Sequence, residues 1–170
     1  MRDGTLCLPI QGSPPTHVLL GFKKQGFGVG KWGGLGGKID KGETILQAAA
    51  RELQEESGLT VSEQDLELRA RLAFVFPARP TWNQLVYVFV VTSWRGELCE
   101  SAEVKPTWFV VRDIPYREMW QDGIHWLPAI LAGKRLQACF TFKDDNESVD
   151  EVFIEDWQAV VPGCGQTEKG

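Results

Sequence analysis

Three carboxylates on one turn of a predicted helix constrain this chain more than any other feature. Glu52, Glu55 and Glu56 stand at positions i, i+3 and i+4, a spacing that puts neighbouring Cβ atoms of a helix about 5–6 Å apart. Like charges at this separation repel each other, and hard oxygen donors suit Mg²⁺ or Mn²⁺. The spacing therefore predicts a divalent cation at this face, with a solvated acidic helix face as the common alternative.

The residues around these carboxylates predict a helix with both ends marked. Thr44, followed three residues later by Gln47, has the form of a capping box. Gly58 stands where a C-terminal glycine cap belongs. Apolar residues at helical spacing form a separate stripe, made of Leu46, Ala49, Ala50 and Leu53. The helix is therefore predicted to bury one side and to leave the carboxylates on another.

A glycine-rich loop leads into this helix, with seven glycines within residues 26–37. Glycine lets the backbone approach a ligand closely, because it has no Cβ. Gly28–Gly33 fits the dinucleotide pattern G-x-G-x-x-G, but no helix is predicted directly after it. Gly37-Lys38 is followed by Ile39, so the phosphate-binding P-loop pattern is also absent from the sequence. The loop is predicted to aim backbone carbonyls or amides at a ligand beside the acidic helix.

The combined spacing of loop and helix resembles the signature of the Nudix hydrolases. From Gly37 the chain has five residues, Glu43, seven residues, and then Arg51-Glu-Leu-Gln-Glu-Glu-Ser-Gly-Leu59, which matches every fixed position. Further stretches resemble the MutT-type animal enzymes that hydrolyse oxidised purine nucleoside triphosphates. They are residues 26–38, 108–109, 114–122 and 140–142, and this resemblance covers roughly residues 5–155.

The resemblance implies a metal site and a supporting ion pair. The implied metal ligands are the three helix glutamates, a carbonyl of the glycine loop and a carboxylate from a distant loop: Glu52, Glu55, Glu56, Gly36 or Gly37, and Glu103. Glu100 is a neighbouring alternative to Glu103. Arg51 and Glu43 are expected to form a salt bridge that pins the glycine loop to the helix. Which of the helix glutamates acts as general base stays open, because a base and a bridging ligand look alike in sequence.

The implied reaction is Mg²⁺-dependent hydrolysis of oxidised purine nucleoside triphosphates, with Mn²⁺ as a substitute ion. Substrates such as 8-oxo-dGTP or 2-hydroxy-dATP would give a nucleoside monophosphate and pyrophosphate, which sanitises the nucleotide pool. The alternatives are another nucleoside diphosphate linked to a group X, or any nucleoside triphosphate with broad specificity. A catalytically silent nucleotide sensor is disfavoured, since all three helix glutamates are present.

The resemblance also implies a substrate pocket, made of Thr5, Lys23, Phe27, Gly33, Phe74, Trp120 and Asp122. Lys23 would lie near the phosphates, with a solvated surface lysine as the alternative. The Trp120 indole would stack on the purine, and Asp122 would read its edge. A carboxylate there can prefer the oxidised base, because oxidation of guanine at C8 turns N7 from an acceptor into a donor.

Three positions depart from the animal pattern. Gly33 stands where those enzymes carry an asparagine that bonds the base, and Gly123 replaces the second aspartate after the tryptophan. Gln84 falls near a pocket methionine. Two missing polar groups would cost discrimination, since each good hydrogen bond contributes about 0.5–1.5 kcal/mol. The preferred base and sugar therefore stay open.

Composition and charge narrow the class of protein. The 170 residues, of which 43% are hydrophobic, suffice for one solid core. A net charge of −5 and the lack of a basic run argue against a nucleic acid polymer as partner. The four cysteines are scattered, as in reducing compartments, and the sequence shows no leader and no run of about 18 apolar residues. We expect a cytoplasmic monomer that binds no membrane.

Strands interleaved with two helices predict an α/β (α+β) class, which the resemblance specifies as a Nudix fold with a mixed sheet between helices. The predicted strands are residues 5–10, 17–23, 66–76, 85–91, 107–111, 138–142 and 149–154. Residues 117–131 are apolar at helical spacing and predict a second helix that Pro128 kinks or restarts. We expect one domain over residues 1–161 and a frayed tail over 162–170.

Overall fold

The computed structural model describes residues 1–161, so the predicted tail over 162–170 lies outside the described residues. The two helices of the described part are α1 (Ile45–Ser57) and α2 (Gly123–Leu131). Its strands are β1 (Arg2–Gln11), β2 (His17–Lys23), β3 (Trp32–Gly33), β4 (Leu66–Val75), β5 (Gln84–Val91), β6 (Val104–Val110), β7 (Leu136–Phe142) and β8 (Val149–Asp156).

The strands form one mixed sheet. Their order is β3-β2-β1-β5-β4-β7-β8, and β6 pairs with β2. The β1–β5 and β4–β7 pairs are parallel, whereas the other strand pairs are antiparallel. The prediction of a mixed sheet is confirmed.

The two helices pack on opposite faces of this sheet. Successive residues of a strand point to opposite faces, so Cys7 and Phe89 enter the core under α1, while Leu8 and Val88 enter the core under α2. The helix residues in these cores are Ala49 and Leu53 of α1, and Trp126, Leu127 and Ile130 of α2. The predicted layering, with the sheet between helices, is confirmed.

Strand β4 changes face halfway along. Its apolar residues alternate strictly in sequence, yet Leu68 packs in the α1 core and Ala70 packs in the α2 core. The pairing with β5 is irregular between these two residues, where Leu68 is opposite Phe89 and Ala70 is opposite Val88. An extra residue at a bulge shifts the pleat by one position. The alternating apolar residues of β4 therefore contribute side chains to both cores.

Helix α1 begins and ends where the sequence predicts. The Thr44 hydroxyl accepts from the Gln47 amide at 3.1 Å, and the Gln47 side chain accepts from the Thr44 amide at 2.9 Å. Gly58 closes the helix with φ at +79°, a left-handed conformation that glycine adopts without strain. These caps set the helix register and so set the face that carries the glutamates.

The prediction of a helix over 117–131 is wrong for its first six residues. Tyr116–Glu118 forms a short 3-10 turn, and α2 begins only at Gly123. The apolar spacing there comes from side chains that line a cleft or a core, not from one helix face. Pro128 lies inside α2, where its missing N–H would have met the carbonyl of Ile124, an exposed residue.

The glycine loop lies tightly against β1. A Cβ on Gly34 would stand 1.8 Å from Leu6 Cδ2, and a Cβ on Gly36 would stand 1.8 Å from the Thr5 carbonyl oxygen. The Thr5 amide donates to the Gly37 carbonyl at 2.9 Å. The loop backbone can take this position only because these residues lack side chains. Neither helix of the described residues is long and apolar enough to span a bilayer.

Gly36→Ala should destabilise the protein, whereas Gly33→Ala should not. The added methyl at Gly36 collides with backbone, and overpacking of this kind costs about 1–3 kcal/mol. A Cβ on Gly33 meets no heavy atom within 4 Å. Urea unfolding of both variants tests the difference. Equal free energies of unfolding for the two variants would contradict the close approach at Gly36.

Candidate active site

A single cleft joins the glycine loop, β1 and α1 to the start of α2, with a volume of about 480 Å³. The described residues include four buried polar or charged side chains, and three of them line this cleft. They are Thr5, Glu56 and Asp122. Burial of polar groups is costly without partners, so their concentration here marks the cleft as a binding site.

The acidic end of the cleft holds Glu52, Glu56 and Glu103. The Lys23 ammonium lies 3.8 Å from Glu103 Oε2 in the same end. Glu55 is placed differently, because it is absent from the cleft lining and its side chain is 53% exposed. The structure therefore brings two of the three helix glutamates together with the distant-loop carboxylate.

Arg51 ties the glycine loop to the acidic helix. Its Nε and Nη2 donate to the two Glu43 carboxylate oxygens at 2.6 and 2.8 Å, and Nη2 also donates to the Lys38 carbonyl at 3.1 Å. Nη1 donates to Glu52 at 2.9 Å and to Glu55 at 3.2 Å. Hydrogen bonding from Arg51 holds the pKa of Glu43 below its usual value. The guanidinium thus orients four groups of the site.

Ion pairs with Arg51 and Lys23 engage three of the carboxylates in and beside this end. Within residues 1–161, no three acidic, imidazole or thiol groups converge closely enough to form a metal cluster. Glu52 and Glu55 are directed to Arg51, and Glu103 is directed to Lys23. The carboxylates of the acidic end therefore lie beside two side-chain cations, Arg51 and Lys23.

Glu56 is the most buried carboxylate of this end, at 5% exposure. Burial raises its pKa to about 8, the nearby charges of Glu52 and Glu103 add to the rise, and Lys23 and the Gly36 amide oppose it. Burial also raises the pKa of Glu52, against the effect of Arg51. A further cation near these two groups would stabilise their charged forms.

The two loop carbonyls differ in their partners. The Gly37 carbonyl accepts from the Thr5 amide, whereas no backbone amide of the described residues donates to the Gly36 carbonyl. A Cβ on Gly37 would stand 2.6 Å from Glu52 Oε1, which shows how closely the loop passes this carboxylate. Of the two predicted carbonyl ligands, Gly36 is therefore the freer one.

The other end of the cleft is aromatic and is built around Trp120. Phe27 is stacked on the indole, with centroids 5.3 Å apart and planes at 18°. Phe76 and Phe142 meet it edge to face at 6.2 and 6.0 Å. Lys31 Nζ lies 5.0 Å from the centroid of the same ring. This end offers flat apolar surfaces of the kind on which a nucleobase stacks.

Asp122 is the buried acid of the aromatic end. Its Oδ2 accepts from Trp126 Nε1 at 2.7 Å. Burial raises the pKa of Asp122 to about 6, while the Trp126 bond, its own backbone amide and the charge of His125 oppose the rise. This carboxyl can therefore accept hydrogen bonds above about pH 6 and also donate one below it.

The same cleft is lined by three further predicted pocket residues, Thr5, Phe74 and Gly33, and by two positions that depart from the animal pattern, Gln84 and Gly123. The Thr5 hydroxyl is buried and has no hydrogen-bond partner among the described residues. A Cβ on Gly33 would enter open space, whereas one on Gly123 would stand 3.2 Å from Met119 Cε, which is closer than an ordinary contact. Gly33 thus leaves room that a larger residue would fill, and Gly123 does so only if Met119 shifts.

The sequence of this cleft and its fold match a known family. A NUDIX domain profile matches residues 2–130. The chain belongs to the Nudix family. The prediction of this family from the loop and helix signature is confirmed.

Relatives and solved structures agree with this assignment to the Nudix family. The chain is 45% identical over 151 residues to an oxidized purine nucleoside triphosphate hydrolase of Danio rerio, covering 89% of this chain and 93% of the relative. It is 41% identical over 142 residues to the protein of the same name from Mus musculus, covering 84% and 87%. Its fold is similar to that of a mutator MutT protein from Bacillus halodurans, with a TM-score of 0.77, 24% identity and coverage of 91% and 98%.

The donor set of the acidic end fits the divalent ions that Nudix hydrolases generally use. Glu52, Glu56 and Glu103 supply carboxylate oxygens, and Gly36 supplies a carbonyl without an amide partner. Hard oxygen donors of this kind suit Mg²⁺. The raised pKa of Glu56 marks a place where negative charge lacks full compensation from the protein.

Trp126 and Lys31 line this Nudix cleft next to predicted residues and were absent from the sequence prediction. Trp126 holds Asp122, and a signal for it exists, since the two stand at i and i+4 at the start of a helix. Lys31 gives no such signal, because its approach to Trp120 joins residues 89 positions apart in the chain.

Asp122→Asn should stabilise the folded protein at neutral pH. A raised pKa means that the folded state binds a proton that the unfolded state releases, so the stability of the parent protein falls as pH rises from about 4 through 6. Asparagine keeps an acceptor for Trp126 and removes the buried charge. We expect a gain of about 1–3 kcal/mol at pH 7.5 that vanishes near pH 4, measured by urea unfolding. Exposed Asp144→Asn is the control, and the same gain there would contradict this account.

Proposed function

We propose that this Nudix protein hydrolyses oxidised purine nucleoside triphosphates to nucleoside monophosphates and pyrophosphate, and so sanitises the nucleotide pool. The observation that carries the proposal is the cleft itself. Its acidic end groups three carboxylates, Glu52, Glu56 and Glu103, and its aromatic end pairs Trp120 with a buried acid, Asp122. One end suits a metal-bound polyphosphate, and the other suits a base.

The relatives support the choice of substrate. Both are named oxidized purine nucleoside triphosphate hydrolases, and each alignment covers more than four fifths of this chain. The acidic residues that line the cleft at α1 lie within the part matched by the Nudix profile. The aromatic end of the cleft depends on residues at the start of α2. The same alignments are long enough to include these residues.

We propose Mg²⁺ as the ion, held by Glu52, Glu56, Glu103 and the Gly36 carbonyl, with Mn²⁺ as a substitute. When bound, the ion neutralises phosphoryl charge and makes a water molecule easier to deprotonate. The Glu55 carboxylate, which points away from the cleft to Arg51, is proposed as an outer member of this set. Gly37 is the weaker choice for the carbonyl ligand, since Thr5 already donates to it.

The protein's own groups would position the phosphates and accept the proton. Lys23 lines the acidic end and can turn from Glu103 to a phosphate, because their contact is as long as 3.8 Å and the Glu103 side chain is exposed. Water attack on phosphorus breaks the bond to the leaving phosphate, and a carboxylate takes the proton of that water. The cleft favours Glu52 or Glu56 for this role, since both line it. Arg51 acts through them as a positioning residue.

The aromatic end would hold the base. Trp120 and Phe27 supply flat surfaces, and the Phe74 ring lines the same end. The Asp122 carboxylate would accept from base N–H groups, including the N–H that oxidation at C8 creates at N7. The unpartnered Thr5 hydroxyl is a further polar group for the nucleoside.

The open space at Gly33 and the lack of a polar side chain at Gly123 favour broader specificity than a pocket with two more polar side chains would have. A broad nucleoside triphosphate pyrophosphatase is therefore the second candidate function, and a screen for pyrophosphate release across nucleotides separates the two. The predictions of a monomer, of a cytoplasmic location and of a single domain over 1–161 stay predictions.

Glu56→Gln should abolish most Mg²⁺-dependent turnover, whereas Glu55→Gln should cost much less. Loss of a ligand or base of the cleft costs about 10²–10⁴-fold, while Glu55 is exposed and outside the cleft. Pyrophosphate release from 8-oxo-dGTP measures both. Because Gln at position 56 also replaces a buried ionisable group, its folded fraction is checked by urea unfolding. Turnover that survives in Glu56→Gln would refute the metal site.

Gly33→Asn and Gly123→Asp should each sharpen discrimination between 8-oxo-dGTP and dGTP. A side chain at Gly33 enters open space, whereas one at Gly123 requires the Met119 side chain to shift by a few tenths of an ångström. Each added hydrogen bond contributes about 0.5–1.5 kcal/mol, or roughly 2- to 12-fold in kcat/KM. The parent protein should show only a modest preference. A parent preference as sharp as that of either variant would contradict the role given to these glycines.

A further inference from the structure

Lys31 stands at the aromatic end of the cleft without a role in the reaction. It precedes β3 directly, lines the cleft, and holds its ammonium 5.0 Å from the centre of the Trp120 ring. Its salt-bridge partner is Glu147, on the turn between β7 and β8, at 3.0 Å. Of the cleft-lining cations in the described part of the chain, Lys31 is the one that lies over this indole.

The contact with Glu147 is a weak restraint. The Glu147 side chain is 56% exposed, and exposed pairs of this kind contribute about 0–1 kcal/mol. A hydrogen bond from a charged donor to a partner sheltered from water contributes about 1.5–3 kcal/mol. A base that stacks at Trp120 can therefore draw the Lys31 ammonium from Glu147 to one of its own acceptors.

The chemistry of an ammonium restricts which bases gain from it. Lysine supplies three donors and no acceptor. Purines with an oxygen at position 6 present an acceptor there, whereas adenine-type bases present an amino group that can only donate. Asp122, in the same cleft, is the complementary acceptor for the N–H that adjoins a 6-oxo group. One donor and one acceptor thus match the edge of a 6-oxopurine.

The space beside Lys31 allows its ammonium to move toward a bound base. Gly33, two residues after Lys31, has no side chain, and the space beside it is open. Lys23, another lysine of the cleft, is held at the acidic end near Glu103. The Lys31 ammonium is thus a flexible, charged donor at the aromatic end.

We propose that Lys31 is a specificity-determining residue that favours 6-oxopurine nucleotides over 6-aminopurine nucleotides. The inference rests on the proposed function and deepens it, because it names the base class that the cleft prefers: guanine-type and hypoxanthine bases, with adenine-type bases disfavoured.

The test compares dITP with dATP, which differ only at positions 1 and 6 of the purine. Lys31→Met should lower the ratio of kcat/KM for dITP to that for dATP about tenfold, because it removes a charged donor. The loss should fall on dITP and appear in KM. Lys31→Arg should keep the preference, and Glu147→Gln should keep or raise it. Lys24→Met is the matched control, since Lys24 pairs with Glu100 at 2.9 Å and lies outside the cleft lining.

Three outcomes would overturn the proposal: an equal fall in kcat/KM for dITP and dATP in Lys31→Met, no change in their ratio, or the same change of the ratio in Lys24→Met. Binding of dIMP and dAMP, followed by tryptophan fluorescence, gives the same comparison without turnover. The protein could hydrolyse no purine triphosphate and yet bind dIMP more tightly than dAMP, with this difference lost in Lys31→Met. In that case the proposed function fails and the base preference stands. If turnover is seen and the two monophosphates bind equally in both the parent and Lys31→Met, the base preference fails alone.

Discussion

The Arg51 guanidinium holds together the parts on which this structure depends. It bonds both Glu43 oxygens and the Lys38 carbonyl on the loop side, and Glu52 on the helix side. A planar fork of donors suits several acceptors at once, which a lysine in this place would not match. The like charges of α1 would otherwise repel each other next to a loop that passes within van der Waals distance of Glu52. The pair orients the site more than it stabilises the fold.

The cleft is built at a cost in stability at both of its ends. Glu56 and Asp122 are buried acids whose pKa values are raised by burial, to about 8 and about 6. In both cases the folded protein holds a charge less easily than water does, so a ligand that supplies an opposite charge or a donor is favoured. The two ends differ in the ligand they favour. The end with Glu56 is suited to a cation, and the end with Asp122 is suited to a base with N–H groups.

Much of the fold was predictable because it depends on local patterns. The capping box at Thr44, the glycine at 58 and the strand periodicities need only near neighbours, and the structure has them. Two features of the structure were not predictable, for a common reason. The segment before Gly123 is apolar because it lines the cleft, and the alternation of β4 hides a bulge that sends Leu68 and Ala70 to different cores. Neither effect can be read without knowing what packs against the chain.

The sequence by itself determined the family and the acidic face of α1, because helix spacing and the glycine loop are properties of adjacent residues. Only the tertiary structure decided which carboxylates face one cavity. It brings Glu103 to Glu52 and Glu56, leaves Glu55 outside, and lays Lys31 over an indole far along the chain. These contacts depend on how strands are ordered in the sheet and on how loops cross its edge, and spacing along the chain carries no record of either.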